Sequence, residues 1–356
     1  MKSGMNYAPS SKPRPVCSFG EFPFAVVGLD HGHVYGMTAG LMEAGGNPAL
    51  VFEPDDTRAG EYLERYPQAR RAASMDEVLS DTEVRLVCCA SVPSDRTGVG
   101  VAALEAGKHF LSDKPPFTSR EQLETARRVT ADTGLIWAVY FSERLHNEAA
   151  VYAGELVASG AVGSVLNVVG LGPHRLSAAI RPQWFFEKER YGGILVDLAS
   201  HQIEQFLAFA GATDARILHS VVGNRAHPEY PELEDFGEVS LLTDGGVTGY
   251  SRVDWFTPDG LGTWGDGRLV VIGTHGYLEL RKYIDVARHP EGDHLYLVDG
   301  TGERHIPVHG EVGFPFFGDL ILDCLNGTRT AMDQAYAFRV AELSLDAQEN
   351  AVRVDR

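Results

Sequence analysis

From Phe22 onward the chain alternates short apolar runs with stretches of helical periodicity. Runs at Phe24–Gly28, Ala49–Glu53, Val84–Ser91, His109–Ser112 and Leu135–Tyr140 predict strands. Between them, Val34–Ala44, Asp56–Tyr66, Thr97–Ala106 and Ser119–Thr133 predict helices, and Gly107 and Gly134 stand where a left-handed residue ends a helix. Such alternation is the pattern of βαβ units and a parallel sheet. After Asn147 the pattern changes. A helix over Glu148–Ser159 leads to an extended run, Val165–Gly170, and to a long helix over Ile194–Ala210. Alternating strands follow, with hairpin signals at Thr243-Asp244-Gly245-Gly246 and Asp299-Gly300-Thr301-Gly302. From Phe316 the pattern is again helical. The expected fold is α/β: a disordered tail (residues 1–21), a parallel-sheet domain (22–146), and an α+β domain (147–356) with a largely antiparallel open sheet. The C-terminal helices can pack back on the first domain.

Composition narrows the partners more than the fold. At 356 residues the chain exceeds one ordinary core and fits two domains. A net charge of −18, with no local Lys/Arg cluster, argues against nucleic acid and anionic membrane surfaces, which repel such a field. No uncharged apolar stretch is long enough to span a bilayer, and residues 1–20 lack the apolar run of a signal peptide. Cys17, Cys88, Cys89 and Cys324 show no C-x-x-C spacing, which fits reduced thiols and a cytoplasmic location.

The first predicted strand runs through Val26-Val27-Gly28-Leu29-Asp30-His31-Gly32-His33 straight into a helix. A tight turn there aims backbone N–H groups at a pyrophosphate, so the first domain is expected to be a Rossmann dinucleotide-binding domain. In G-x-G-x-x-G register only Gly28 is kept; Asp30 and His33 take the other glycine positions, and Gly32 can supply the close backbone approach. Glu53 ends the second strand, where an acid accepts ribose hydroxyls and repels a 2′-phosphate, so NAD is favoured over NADP. Gly28, Asp30, His31, Gly32, His33, Glu53, Ser91, Pro93 and Lys114 form the expected cofactor set. His31 and His33 could chelate, but no third ligand of matching spacing lies nearby, and no metal site is expected.

Two further motifs follow: Phe110-Leu111-Ser112-Asp113-Lys114-Pro115-Pro116, and Tyr191-Gly192-Gly193-Ile194-Leu195-Val196-Asp197-Leu198-Ala199-Ser200-His201. In this order, after a dinucleotide turn, they resemble the E-K-P and G-G-x-x-x-D-x-x-x-H motifs of the glucose–fructose oxidoreductase / inositol dehydrogenase / rhizopine-catabolism (Gfo/Idh/MocA) family. Ala102–Gly107 with Lys108-His109 is similar to the family's approach to its lysine, and Phe141–His146 to its F-N-x-R-x-H segment. Asp113 for Glu, Ser142-Glu143 and the altered glycine turn are departures. The resemblance implies hydride transfer to or from a sugar, cyclitol or related CH–OH, with Lys114, Asp197 and His201 catalytic. It also implies a homodimer or homotetramer built on the second domain's open sheet.

Asp197 and His201 are i and i+4 and share a helix face with Ser200, Glu204 and Gln205; periodicity alone favours a simply solvated face. Gly192-Gly193 ahead of them leaves backbone bare enough for a ligand to approach. His201 can take a hydroxyl proton, Asp197 can orient it, and cationic Lys114 can polarise the substrate oxygen. Arg144, His174, Arg175 and Trp184 are further substrate candidates, and the glycine-rich stretch Thr257–Gly267 is a lid or an ordinary loop. The expected activity is NAD-dependent oxidoreduction of a small polyol or sugar. The alternatives are an NAD-retaining enzyme with transient oxidation and no net redox, and a non-enzymatic sensor with the same fold.

Overall fold

A computed structural model describes Pro9 and Arg14–Asp355, so most of the tail expected over residues 1–21 lies outside the described residues. The chain divides into two compact units. One runs up to Tyr140 and takes in Gly313–Phe338; the other holds Phe141–Val312 and the chain from Arg339.

The first unit contains β1 (Pro23–Val27), β2 (Asn47–Phe52), β3 (Arg70–Arg71), β4 (Leu86–Cys89), β5 (His109–Asp113) and β6 (Trp137–Tyr140). They form one parallel sheet in the order β3-β2-β1-β4-β5-β6. Helices α1 (His33–Glu43), α2 (Asp56–Arg65), α3 (Met75–Ser80), α4 (Arg96–Glu105) and α5 (Arg120–Thr133) make the connections. β4 and β6 are buried at every position, as strands covered on both faces must be. This is the Rossmann-like sheet that the alternation predicts. β3 and α3 escape a sequence reading because two residues and six are too few to show a clear periodicity. Strand order reverses between β1 and β4, and such a switch point is where open α/β sheets bind ligands.

The second unit holds α6 (Ser142–Leu145), α7 (Glu148–Ala158), α8 (Lys188–Tyr191), α9 (Ile194–Asp197) and α10 (Ala199–Ala210). Its strands are β7 (Val165–Pro173), β8 (Arg216–Gly223), β9 (Phe236–Leu242), β10 (Thr248–Asp254), β11 (Arg268–Gly273), β12 (Gly276–Arg281), β13 (His294–Asp299), β14 (Gly302–Pro307) and β15 (Val352–Arg353). They form one sheet, β14-β13-β12-β11-β7-β10-β9-β8-β15, antiparallel except where β7 meets β10 and β8 meets β15. Both hairpin signals fall at turns, between β9 and β10 and between β13 and β14. α10 packs on the strands so closely that a Cβ on Gly249 would lie 2.5 Å from the Phe206 ring. The last helices are α11 (Pro315–Asn326), in the first unit, and α12 (Gln334–Glu349), along which the chain passes from the first unit into the second. Among the described residues no helix is long and apolar enough to cross a membrane.

Candidate functional site

In the first unit, the β1–α1 turn sits at the switch point. Gly28 has φ +78, and a Cβ there would lie 2.0 Å from Ser91 Oγ, so only glycine lets the turn close against the end of β4. His31 N donates to Ala90 O and Leu29 N to Glu53 Oε2, which ties the turn to β4 and β2. Asp55, Ser74 and Ser119 cap α2, α3 and α5 with their side chains, whereas the N-terminus of α1, at Gly32, has no side-chain cap. An uncapped first turn behind a bare glycine fits a pyrophosphate. Asp30, the awkward substitution, does not cap this turn; its carboxylate lies 3.4 Å from Arg58. Burial raises the Asp30 carboxyl and Arg58 opposes the rise.

Glu53 is only 1% exposed. Its Oε2 accepts from Leu29 N at 2.7 Å, and its Oε1 accepts from Asp55 N at 2.9 Å and Arg58 at 2.7 Å. The acid expected to face a ribose is thus also a brace for the turn.

The reading that His31 and His33 lack a third partner needs correction. The fold brings Asp113 from the end of β5 between them: His33 Nδ1 bonds Oδ1 at 2.8 Å, and His31 Nδ1 lies 2.8 Å from Oδ2. These three residues could hold a metal ion by proximity. The buried Arg96 guanidinium already donates to the same carboxylate at 3.0 Å, and this balances its charge. Burial alone would raise the Asp113 carboxyl, but His33, Arg96 and His31 outweigh it and hold it well below the usual range. His31 is driven down to about 3 by burial, then by His33, with Lys114 adding to the effect, so it is neutral at pH 7. Lys114 is itself buried at the end of β5. No spacing rule links Asp113 and Arg96 to the two histidines, because the contacts join the β1–α1 turn, the start of α4 and the end of β5.

In the second unit, the helix expected over Ile194–Ala210 is divided at Leu198 into α9 and α10. Asp197, Ser200, His201, Glu204 and Gln205 are all buried, so the face is not solvated. The glycine pair ahead of it also differs from expectation. Gly193 has φ +93, and the space beside it is filled by Gln348, whose Cδ would lie 2.3 Å from a Cβ. Gln348 Oε1 and Glu234 Oε2 accept from Leu195 N and Ile194 N, and so finish the first turn of α9.

Around this face stand residues that sequence reasoning missed. Glu143 Oε2 accepts from Lys282 Nζ at 2.7 Å, from Gln202 Nε2 at 2.9 Å and from Gln205 Nε2 at 3.4 Å. Burial would raise the Glu143 carboxyl, but Lys282, then His201 and His174, hold it far below the usual range. Arg181 is lowered to about 10 by burial, with Asp197 opposing. Of the expected substrate residues, His174 Nδ1 bonds Gly172 O at 3.0 Å, and its ring packs 4.6 Å from that of Trp264. Arg144 Nε donates to Glu204 at 2.7 Å. Arg175 holds the Thr257–Gly267 loop through Pro258 O at 2.9 Å and Leu261 O at 2.7 Å. Trp184 Nε1 is buried with no hydrogen-bond partner among the described residues. Glu143 and Lys282 are far apart in sequence, and only the sheet brings them together.

A reversed-order parallel sheet with an uncapped, glycine-started helix at its switch point defines an NAD(P)-binding Rossmann protein. Residues 22–141 match the model of the oxidoreductase family with NAD-binding Rossmann fold, and residues 151–279 match the GFO/IDH/MocA C-terminal domain. The chain belongs to the Gfo/Idh/MocA oxidoreductase family. It is 25% identical over 194 residues to scyllo-inositol 2-dehydrogenase (NADP(+)) IolW of Bacillus subtilis, covering 53% of each chain. It is 26% identical over 223 residues to D-xylose dehydrogenase of Paenarthrobacter nicotinovorans, covering 58% of this chain and 57% of that one. The chain thus spans a little over half the length of these curated relatives. A crystal structure from Erwinia carotovora atroseptica SCRI1043, assigned as an oxidoreductase, is 46% identical with a TM-score of 0.91, covering 94% of this chain and 99% of that one.

Proposed function

We propose that the chain is an NAD-dependent dehydrogenase that moves hydride between nicotinamide and a CH–OH group of a sugar, sugar derivative or cyclitol. The observation that carries this reading is the glycine-started β1–α1 turn with no side-chain cap at the switch point of the sheet, which suits a dinucleotide pyrophosphate. That two relatives are named for scyllo-inositol and D-xylose, both small neutral polyols, supports the substrate class.

Gly28, Gly32 and the first turn of α1 hold the pyrophosphate, with His31, His33, Ser91 and Pro93 around them. When bound, nicotinamide supplies the hydride acceptor or donor. His201 takes the hydroxyl proton, Asp197 orients it, and Lys114 stabilises negative charge on the reacting oxygen. His174 and Trp184 contact substrate, and the unpartnered Nε1 of Trp184 is a ready donor to a hydroxyl. Incubating the protein with NAD and a panel of sugars and cyclitols tests the reading. Growth of the reduced-nicotinamide absorbance supports it, and no change with any polyol counts against it.

NAD is the preferred cofactor. At the end of β2, Arg58 already faces Glu53, Asp30 and Asp55, and Arg71, which donates to Glu53 O, faces Asp56, so a 2′-phosphate would meet net negative charge. Glu53→Ala releases Arg58 and is expected to narrow the NAD preference on the order of tenfold, the scale of one charged hydrogen bond. Calorimetric titration of both cofactors checks this; tighter NADP binding by the unaltered chain refutes it.

The open sheet face is the proposed homodimer or homotetramer surface. Val169, Tyr250, Val270, Ile272 and Tyr277 share it by register, and Ile272 and Tyr277 are exposed. Light scattering is expected to return two or four chain masses, and a monomer would exclude the surface. The cysteines at 17, 88, 89 and 324 are free thiols, which supports a cytoplasmic location.

A further inference from the structure

Asp197 sits on a single helical turn that does not cap itself. α9 runs only from Ile194 to Asp197, and Gly193 ahead of it has no side chain to offer. Its first backbone N–H groups are taken instead by side chains from distant parts of the second unit. Ile194 N donates to Glu234 Oε2 at 3.0 Å, and Leu195 N donates to Gln348 Oε1 at 2.9 Å. Gln348 Nε2 then donates to the same Glu234 oxygen at 2.9 Å, so three hydrogen bonds close around the start of the turn.

The clamp is held from behind. Glu234 is 0% exposed, and its other oxygen pairs with Lys188 of α8 and Arg353 of β15. Gln348 lies in the last turn of α12, where Ala347 O accepts from Ser220 Oγ of β8 at 2.7 Å. Gly193, at φ +93, makes the close approach possible, because a Cβ there would lie 2.3 Å from Gln348 Cδ. An amide pressed on bare backbone leaves the turn little room to shift.

The position of the turn reaches the acid–base pair through the backbone. Asp197 N donates to Gly193 O at 2.9 Å, Ser200 Oγ to Asp197 O at 3.0 Å and His201 N to Leu198 O at 3.3 Å. A displacement at the start of α9 is therefore carried to both residues. Misplacing reacting groups by about 1 Å costs on the order of 100-fold in rate.

We propose that Gln348, working with Glu234, is a positioning residue for the reaction: its amide fixes the α9 turn so that Asp197 and His201 present their side chains in the geometry proton transfer needs. This rests on the dehydrogenase reading, which supplies the reaction to be positioned.

Steady-state kinetics of the full chain, run well below each variant's thermal midpoint, tests the role. The probe is the member of a sugar and cyclitol panel, D-xylose and scyllo-inositol included, that the parent oxidises fastest with NAD. Gln348→Met fills the space beside Gly193 but brings neither the acceptor nor the donor. Its kcat is expected to fall on the order of tenfold, with KM for NAD unchanged. Gln348→Glu keeps an acceptor for Leu195 N but sets a second carboxyl against Glu234 Oε2. Like charge raises the pKa of the introduced carboxyl, with Lys188 and Arg353 on the far oxygen moderating the rise. When protonated, that carboxyl accepts and donates as the amide does. The ratio of the Gln348→Glu kcat to the parent's is therefore expected to climb as pH falls, while the titration of the reaction's own proton acceptor is common to both and cancels. A merely structural role would lower the thermal midpoint and leave kcat and this ratio unmoved. Parental kcat in Gln348→Met, or a ratio independent of pH, overturns the inference and leaves the dehydrogenase reading standing. A parent that oxidises no member of the panel defeats the reading and the inference with it.

Discussion

Lys114→Ala and His201→Ala are each expected to lower turnover by at least about 100-fold, the scale of a lost proton acceptor or a lost electrostatic group. The reasoning differs for the two. Lys114 is buried at the end of β5, where its charge is felt by His31. Its ammonium stabilises negative charge on the reacting oxygen, an interaction stronger in the transition state than in the ground state, so kcat falls. His201 is buried on α10, and its loss removes the group that accepts the proton. His201→Asn, which keeps a polar side chain, separates chemistry from packing: turnover stays low while the thermal midpoint returns toward that of the parent. Asp197→Ala is expected to cost less, because orientation is lost but the proton acceptor remains. Steady-state kinetics with circular dichroism as a fold check reads all four. Near-parental turnover in Lys114→Ala or His201→Ala would remove these residues from the mechanism.

The largest stability effect is expected at a residue that does no chemistry. The Lys282 side chain is 0% exposed and bonded to Glu143. Lys282→Met leaves the carboxylate buried with only amide donors, and breaking a buried pair in this way costs about 3–5 kcal/mol. Replacing both partners, as in Glu143→Gln/Lys282→Met, is expected to recover most of that loss. The pH dependence has a definite sign. The folded Glu143 carboxyl lies below its unfolded value, so its contribution is present above the ordinary glutamate range near about 4.3. It is lost as pH falls toward the folded value. Urea unfolding of parent and Lys282→Met should therefore show their widest gap near neutral pH and a smaller one below about pH 4. A gap independent of pH would mean that the lysine acts through packing alone.

Most of the architecture was legible along the chain, and the reasons are local. The strands at Phe24, Val84 and His109 and the glycines at 107 and 134 announce themselves through apolar runs and left-handed helix ends. The hairpin turns near Gly245 and Gly300 do the same for the second sheet. What periodicity could not decide was which polar faces are buried. The arc from Asp197 to Gln205 reads identically whether it meets water or protein. Gly192 and Gly193 read as space for a ligand, whereas Gln348 occupies that space beside Gly193. The pairs Asp113–Arg96 and Glu143–Lys282 left no trace either, because each joins distant segments through the sheets.

The central claim is hydride transfer from a polyol carbon, and an isotope label tests it most directly. The protein is incubated with NAD and a polyol carrying deuterium on its carbinol carbons, and the dinucleotide is analysed by mass spectrometry and NMR. The account predicts deuterium on C4 of the reduced nicotinamide, in amounts matching the oxidised product formed, and labelling slower by at least about 100-fold with Lys114→Ala or His201→Ala. Deuterium found only in a rearranged or eliminated product, with no reduced nicotinamide accumulating, would contradict it in favour of an internal redox cycle. A dinucleotide that never acquires label from any polyol would contradict it outright.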